Sequence, residues 1–288
     1  NNVRYTSDFT PSTTPFSNDS NTILLTCQHS APAKTTNGAY HFTTTSSRLT
    51  AEHADFNLSS STPFTMEMWY KMTTRGSPLW DFGVGNTFQL YNHASKMQIY
   101  GLGGSYVIDF GTGVGYDTGV WYHVAIVGDG SNNVKAYLDG VQVGSTYNAS
   151  WSISGSKIRL NGYAGSGYTN VGHVVYMSDV RLVNGTAVYT GNFTKPSGPL
   201  TTTGGTYPSN TNVNTSITAS HTKLLTCQNS SGSKVDNSAS GHTLTEDGTV
   251  TPGAGVENIA PDASTNNFDL IANGDVHNAK YWPFGYNG

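Results

Sequence analysis

Hydrophobic positions along this chain alternate instead of recurring at helical spacing. Phe64, Met66, Met68, Tyr70 and Met72 alternate with Thr65, Glu67, Trp69 and Lys71. That period of two predicts a strand with one buried and one half-exposed face. Residues 88–91, 97–100 and 106–110 read as short strands parted by Gly and Asn, and 121–127 is apolar enough for a central sandwich strand. Residues 134–138 and 141–143 flank Asp139-Gly140. This pair predicts a two-residue hairpin turn with positive φ at both positions, setting Tyr137 and Leu138 against Val141 and Gln142. Residues 157–160 and 174–182 complete the series, and no apolar pattern holds helical spacing over three turns. The fold class is therefore all-β: a two-sheet antiparallel jelly-roll sandwich, followed by a smaller β-rich segment.

Composition agrees with this and narrows the function. The chain is rich in Ser, Thr, Asn and Gly, with 17 Tyr, 11 Phe and 5 Trp, and only 11% of its 288 residues are charged. Thr, Tyr, Phe and Val favour strands, while Gly and Asn supply turns. With 14 basic against 18 acidic residues and no basic cluster to neutralise phosphates, no nucleic-acid partner is expected. No apolar run approaches the roughly 20 residues of a membrane span, so no membrane insertion is expected. The sequence shows neither a signal peptide nor an initiator Met, and reads as starting within a longer protein.

An internal duplication frames the chain. Tyr5-Thr-Ser-Asp-Phe9-Thr-Pro11 recurs as Tyr189-Thr-Gly-Asn-Phe193-Thr-Lys-Pro196, and the Leu-Leu-Thr-Cys-Gln block ending at Gln28 recurs ending at Gln228. The second copy carries an extra Thr/Gly/Asn-rich stretch between 201 and 214. Two ordered blocks imply tandem repeats. The division expected is 1–20 as the end of a preceding repeat, 21–200 as one module, 201–220 as linker, and 221–288 as the start of the next repeat. Cys27 and Cys227 then occupy equivalent strand positions, and no disulfide between them is expected. Within the tail, 242–250 and 268–276 each read as a strand leading into Asp-Gly or Asn-Gly.

The ordered series Ala39-Tyr-His-Phe42, Phe64-Thr-Met-Glu-Met-Trp69, Trp121-Tyr-His-Val-Ala-Ile-Val127, Tyr137-Leu-Asp-Gly140 and Ser178-Asp-Val-Arg-Leu182 resembles the laminin-G-like, concanavalin-A-like jelly rolls of bacterial and phage surface proteins. The resemblance covers about 21–200. It implies the fold and a setting in a tail fibre or other virion or extracellular structural protein. It does not fix a ligand.

Some jelly rolls of this shape cleave β-glucans, with carboxylates on one strand as Glu-x-Asp-x-x-Glu. No such triplet occurs, and Glu67 stands alone on its strand. No catalytic residue is assigned and no enzyme is expected. His123 reads as a core residue, no His or Cys spacing predicts a zinc site, and no metal ligand is assigned. No cofactor is expected; calcium is the one ion the resemblance admits, through Asp81, Asp109, Asp117 and Asp129 near strand ends. The loop from Asn161 to Asn170 combines Tyr with Gly, Ser and Asn, the composition of adaptable recognition loops. Tyr163, Tyr168 and Asn170 are its candidate ligand-binding residues, and Trp151 is a further, weaker candidate whose other reading is a place in the core or against a neighbour. The expected function is a structural or adhesive module of a viral or extracellular fibre that binds surface glycans. A spacer contacting only neighbouring chains remains the alternative, and a jelly-roll glycoside hydrolase the remote one. Its partners would be other chains or repeats of the fibre and a cell-surface polysaccharide.

Overall fold

The computed structural model describes residues 33–34, 36–76, 78–83, 87–93, 95–165 and 172–258. The chain is almost wholly β, with two large antiparallel sheets packed across one core, as the alternation predicts. Helical structure among the described residues is limited to 3-10 turns at Ala54–Phe56 and Ala219–His221. No helix of the described residues is long and apolar enough to cross a membrane.

The first sheet runs from edge to edge as Val141–Asn148, Asn133–Leu138, Tyr122–Asp129, Pro63–Met72, Val175–Asn184, Ala39–Phe42 and Val250–Gly253. Thr222–Thr226 pairs with the second half of Val175–Asn184, past a bulge where Asp179 takes a φ of +47°. The second sheet runs as Thr245–Asp247, Arg48–Glu52, Lys157–Leu160, Trp80–Phe82, Phe88–His93, Lys96–Gly101 and Gly104–Thr112. Met66, Met68 and Tyr70 of the first sheet share the core with Trp80, Phe82 and Phe88 of the second. Alternation within each strand places these residues inward together.

The hairpin at Asp139-Gly140 forms as predicted. Its φ angles are +48° and +83°, and Tyr137 pairs Gln142 while Leu138 pairs Val141. The half-exposed face predicted for Pro63–Met72 is not found, because Thr65, Glu67 and Trp69 are all buried. A returning segment covers that face: Val188, Tyr189, Phe193 and Ile217 pack on Ala125, Val127, Tyr137 and Val183 as a second core. The Tyr189 and Phe193 rings stack with centroids 3.6 Å apart. Beneath this cover, Glu67 bonds Arg181 and Tyr189 with its carboxylate.

The contacts also divide the chain differently from the expected boundaries near 200 and 220. Thr36–Val256 is one compact unit. Thr222–Thr226, Thr245–Asp247 and Val250–Gly253 extend the two sheets that begin with residues 39–52. A second unit comprises Asn1–Thr35 and Glu257–Gly288, and its described part is the strand pair Ala33–Lys34 with Glu257–Asn258. Cys227 is a buried free thiol, while residues 1–20, Cys27 and 268–276 lie outside the described residues.

Candidate functional site: a tyrosine-lined recess on the second sheet

The outward face of the second sheet is polar across most of its width. Register aligns Thr245, Thr50, Arg159, Asp81, Gln89 and Tyr100 in one row over six neighbouring strands. The next row sets Tyr91 beside Gln98 and Gln98 beside Asp109. Directly paired residues of antiparallel strands point to the same side, so these side chains form one surface. The intervening residues, among them Trp80, Phe82, Phe88, Leu90 and Ile99, face the core.

A recess of about 430 Å³ opens in this face, lined by Asp81, Thr87, Gln89, Tyr91, Tyr100, Tyr106 and Tyr163. Tyr91 is its hub. Its ring centroid lies 5.7 Å from that of Tyr100, 5.8 Å from Tyr106 and 6.3 Å from Tyr163. The Tyr163 hydroxyl donates to the Tyr91 hydroxyl at 3.2 Å. Tyr106 sits in a bulged stretch of Gly104–Thr112 with a φ of +51°, and 39% of it is exposed. A non-glycine residue held at positive φ with its ring toward solvent is backbone strain of the kind that clusters at ligand sites. Next to this recess, Arg159 donates to Thr50 Oγ1 at 3.1 Å and to the Tyr163 carbonyl, which fixes the start of the 161–170 loop.

The floor is polar. Asp81 and Gln89 are buried, and Asp81 Oδ1 and Gln89 Oε1 find no hydrogen-bond partner within the protein. Burial pushes the Asp81 carboxyl up from 3.8 to about 7, although the Ala164 N–H, Gln89 and the Arg159 charge pull the other way. Unsatisfied buried acceptors in an open recess are what an incoming hydroxyl would satisfy. The same feature has a stability cost. A carboxyl whose pKa is raised by folding stabilises the native state below about pH 4, and that contribution is lost as pH rises toward 7. Asp81→Asn should therefore raise the thermal midpoint by a few degrees at pH 8 and leave it unchanged near pH 4. Equal shifts at both pH values, followed by calorimetry, would refute this account of Asp81.

Of the residues picked from sequence, Tyr163 lines the recess. Tyr168 and Asn170 lie outside the described residues. Trp151 is corrected to a core residue: it is 7% exposed and meets Phe64 edge-on, with centroids 5.8 Å apart. Glu67, the acid the hydrolase alternative would need, is fully buried in its ion pair with Arg181. His123 is buried beside Glu67, with Nε2 3.3 Å from the carboxylate. The four Asp residues weighed for calcium each have partners of their own: Asp81 binds the Ala164 N–H, Asp109 binds Lys96, Asp117 binds Tyr122, and Asp129 caps the turn to Asn133. Tyr91, Tyr100 and Tyr106 were missed. The twin runs Phe-Gln-Leu-Tyr at 88–91 and Met-Gln-Ile-Tyr at 97–100 put Gln and Tyr together on one face, and that was the available signal.

Residues 42–188, half of the chain, match the family described as the concanavalin A-like lectin/glucanases superfamily. The chain belongs to that superfamily. Among solved structures with this superfamily fold, a protein from Bacteroides ovatus described as carbohydrate binding aligns with a TM-score of 0.52 at 14% identity. It covers 77% of this chain and 61% of its own. The LG4-5 domains of mouse laminin alpha1 align with a TM-score of 0.42 at 12% identity, covering 51% of this chain and 41% of theirs. An alginate lyase of polysaccharide lyase family 7 aligns with a TM-score of 0.35 at 18% identity, covering 45% of this chain and 63% of its own. The match spans less than two thirds of each of these chains. A search of curated protein sequences finds no match.

The family description overturns the expectation that no enzyme is present, because it joins glucanases to lectins. A superfamily that includes glucanases does not exclude polysaccharide cleavage. The exclusion rested on the paired carboxylates of glycoside hydrolysis, which are a requirement of one reaction class. At these identities the likeness shows the shared fold and assigns no reaction to this chain.

Proposed function

We propose that the chain is a glycan-binding module and that the tyrosine-lined recess of the second sheet receives a polysaccharide segment. The observation that carries this reading is the convergence of Tyr91, Tyr100, Tyr106 and Tyr163 over a floor of unsatisfied Asp81 and Gln89 oxygens. Tyrosine rings offer apolar faces to pyranose C–H groups and hydroxyls to their rims, and the floor accepts from sugar O–H groups. The fold shared with a protein described as carbohydrate binding supports the same reading. The setting assigned with it is a cell-surface or virion fibre in which the chain meets other chains or repeats and a surface polysaccharide. The repeated Leu-Leu-Thr-Cys-Gln blocks support that setting.

A panel of bacterial surface polysaccharides, immobilised and probed with the full chain, tests this. At least one should bind saturably, and Tyr91→Ala should weaken that binding by about tenfold or more, because Tyr91 touches the other three rings. Tyr106→Ala, a change at an exposed position, should weaken it without loss of thermal stability. Silence across the panel, or affinity indifferent to both changes, would count against the recess.

A further inference from the structure

We propose that His53, Asp55 and His242 form a zinc site that fastens the loop before Thr245–Asp247 to the turn after Arg48–Glu52. One ligand atom from each of the three lies within 4.8 Å of the others, the sole such group of three or more His, Cys, Asp or Glu among the described residues. Two of the separations fit a tetrahedral ion closely. His53 Nδ1 is 3.4 Å and His242 Nε2 is 3.2 Å from Asp55 Oδ2. Ligands about 2.0–2.1 Å from Zn²⁺ in a tetrahedron stand about 3.4 Å apart. Two imidazoles and a carboxylate are a borderline donor set suited to zinc, with the fourth position left for water.

A second observation is independent of that spacing. The His242 side chain is only 8% exposed, and its Nε2 makes no hydrogen bond, yet it points at the Asp55 carboxylate. A buried ring nitrogen facing an anionic oxygen at that distance needs a cation between them, either a proton or a metal ion. Both sides are also held in place. Asp236 accepts the backbone N–H groups of His242 at 2.8 Å, Ser238 at 2.9 Å and Leu225 at 2.9 Å. The Asn184 amide donates to the carbonyls of Asp55 and Asn57. The His242 ring packs on Phe56 and His53, with centroids 4.9 and 4.7 Å apart. Such outer contacts orient ligands before a metal arrives.

Three other groups compete. Ser240 donates to Asp55 Oδ2 at 3.0 Å, and the Lys223 ammonium lies 3.7 Å from Oδ1. The Asp55 backbone N–H already donates to His53 Nδ1 at 3.2 Å, and that bond must yield to the metal. His53 and Asp55 are close neighbours in the chain, but His242 lies far from both, so no motif spacing could show the site.

The untagged full chain, stripped with a chelator, is titrated with Zn²⁺ by calorimetry and with Co²⁺ by visible absorption. One Zn²⁺ per chain should bind, Co²⁺ should give the intense d–d bands of a four-coordinate site, and saturating Zn²⁺ should raise the thermal midpoint. His53→Ala, at a position more than half exposed, should lower the metal-free midpoint only slightly, through the lost bond to the Asp55 N–H, and weaken Zn²⁺ binding by at least about tenfold. Asp55→Asn should weaken it at least as much. No saturable uptake by the unaltered chain would mean that His242 and Asp55 share only a proton, and the proposal falls. It falls equally if uptake is the same in both variants.

Discussion

Arg181→Met is expected to destabilise the Thr36–Val256 unit by about 3–5 kcal/mol, because it strands a buried carboxylate. Arg181 and Glu67 are both fully buried. Arg181 Nε and Nη2 reach Glu67 Oε1 at 2.8 and 2.6 Å, while Nη1 donates to the carbonyls of Thr201 and Gly204. Burial alone would push the Glu67 carboxyl up, but the Arg181 charge, His123 and the Tyr189 hydroxyl at 2.6 Å outweigh it and hold it at about 2. A carboxyl depressed by folding contributes stability that is full above 4.5 and lost as pH falls toward about 2. Urea unfolding at pH 7 should therefore show the large loss, and the loss should shrink on acidification. Adding Glu67→Leu should recover part of it, since removing both residues leaves neither charge of the pair stranded, although the Tyr189 hydroxyl and the Thr201 and Gly204 carbonyls each lose a partner. An Arg181→Met protein as stable as the parent at pH 7 would mean that solvent reaches Glu67.

Gly140→Val is expected to cost about 3 kcal/mol or more. Two effects add. Gly140 has a φ of +83°, which a β-branched residue resists. A Cβ there would also fall well inside van der Waals distance of the Phe193 carbonyl, because the Phe193 N–H donates to the Gly140 carbonyl at 2.9 Å. The turn is thus pressed against the segment that covers the first sheet, and the change should disturb both. Gly119→Val separates the two effects. Its φ of +79° is nearly the same, but a Cβ there would meet nothing within 4 Å, so strain alone should cost about 1–3 kcal/mol. Equal losses at the two glycines, measured by thermal unfolding, would remove the close approach from the account.

The sandwich was legible because period-two alternation is local: the strand at Lys157–Leu160 begins and ends where its four residues suggest. Asp139-Gly140 was legible for the same reason. The burial of Thr65, Glu67 and Trp69 was not, since it depends on Tyr189 and Phe193, more than a hundred residues further along. Nothing in Glu67 itself marks it as half of an ion pair. Tyr163 was picked on loop composition and lines the recess, but its partners Tyr91, Tyr100 and Tyr106 needed cross-strand register to be seen together. Trp151 failed as a candidate because an aromatic residue beside a polar loop looks alike whether its ring points in or out. Sequence blocks suggested a boundary near 200; pairing of Val250–Gly253 with Ala39–Phe42 shows why similarity between blocks is not separation between bodies.

That last pairing has a kinetic consequence. Thr43 donates both its backbone N–H and its hydroxyl to the Thr249 carbonyl across 206 residues of chain, and the Val256 N–H reaches Thr36 across 220. Contacts this distant can form only after a long loop closes, and β folds built on them acquire their structure slowly. A nascent chain must expose the edge of Ala39–Phe42 until the ribosome has delivered residue 253. Until then the unpaired strand is open to other chains. Yield at high expression should therefore be limited by how long that edge waits, more than by the final stability of the fold.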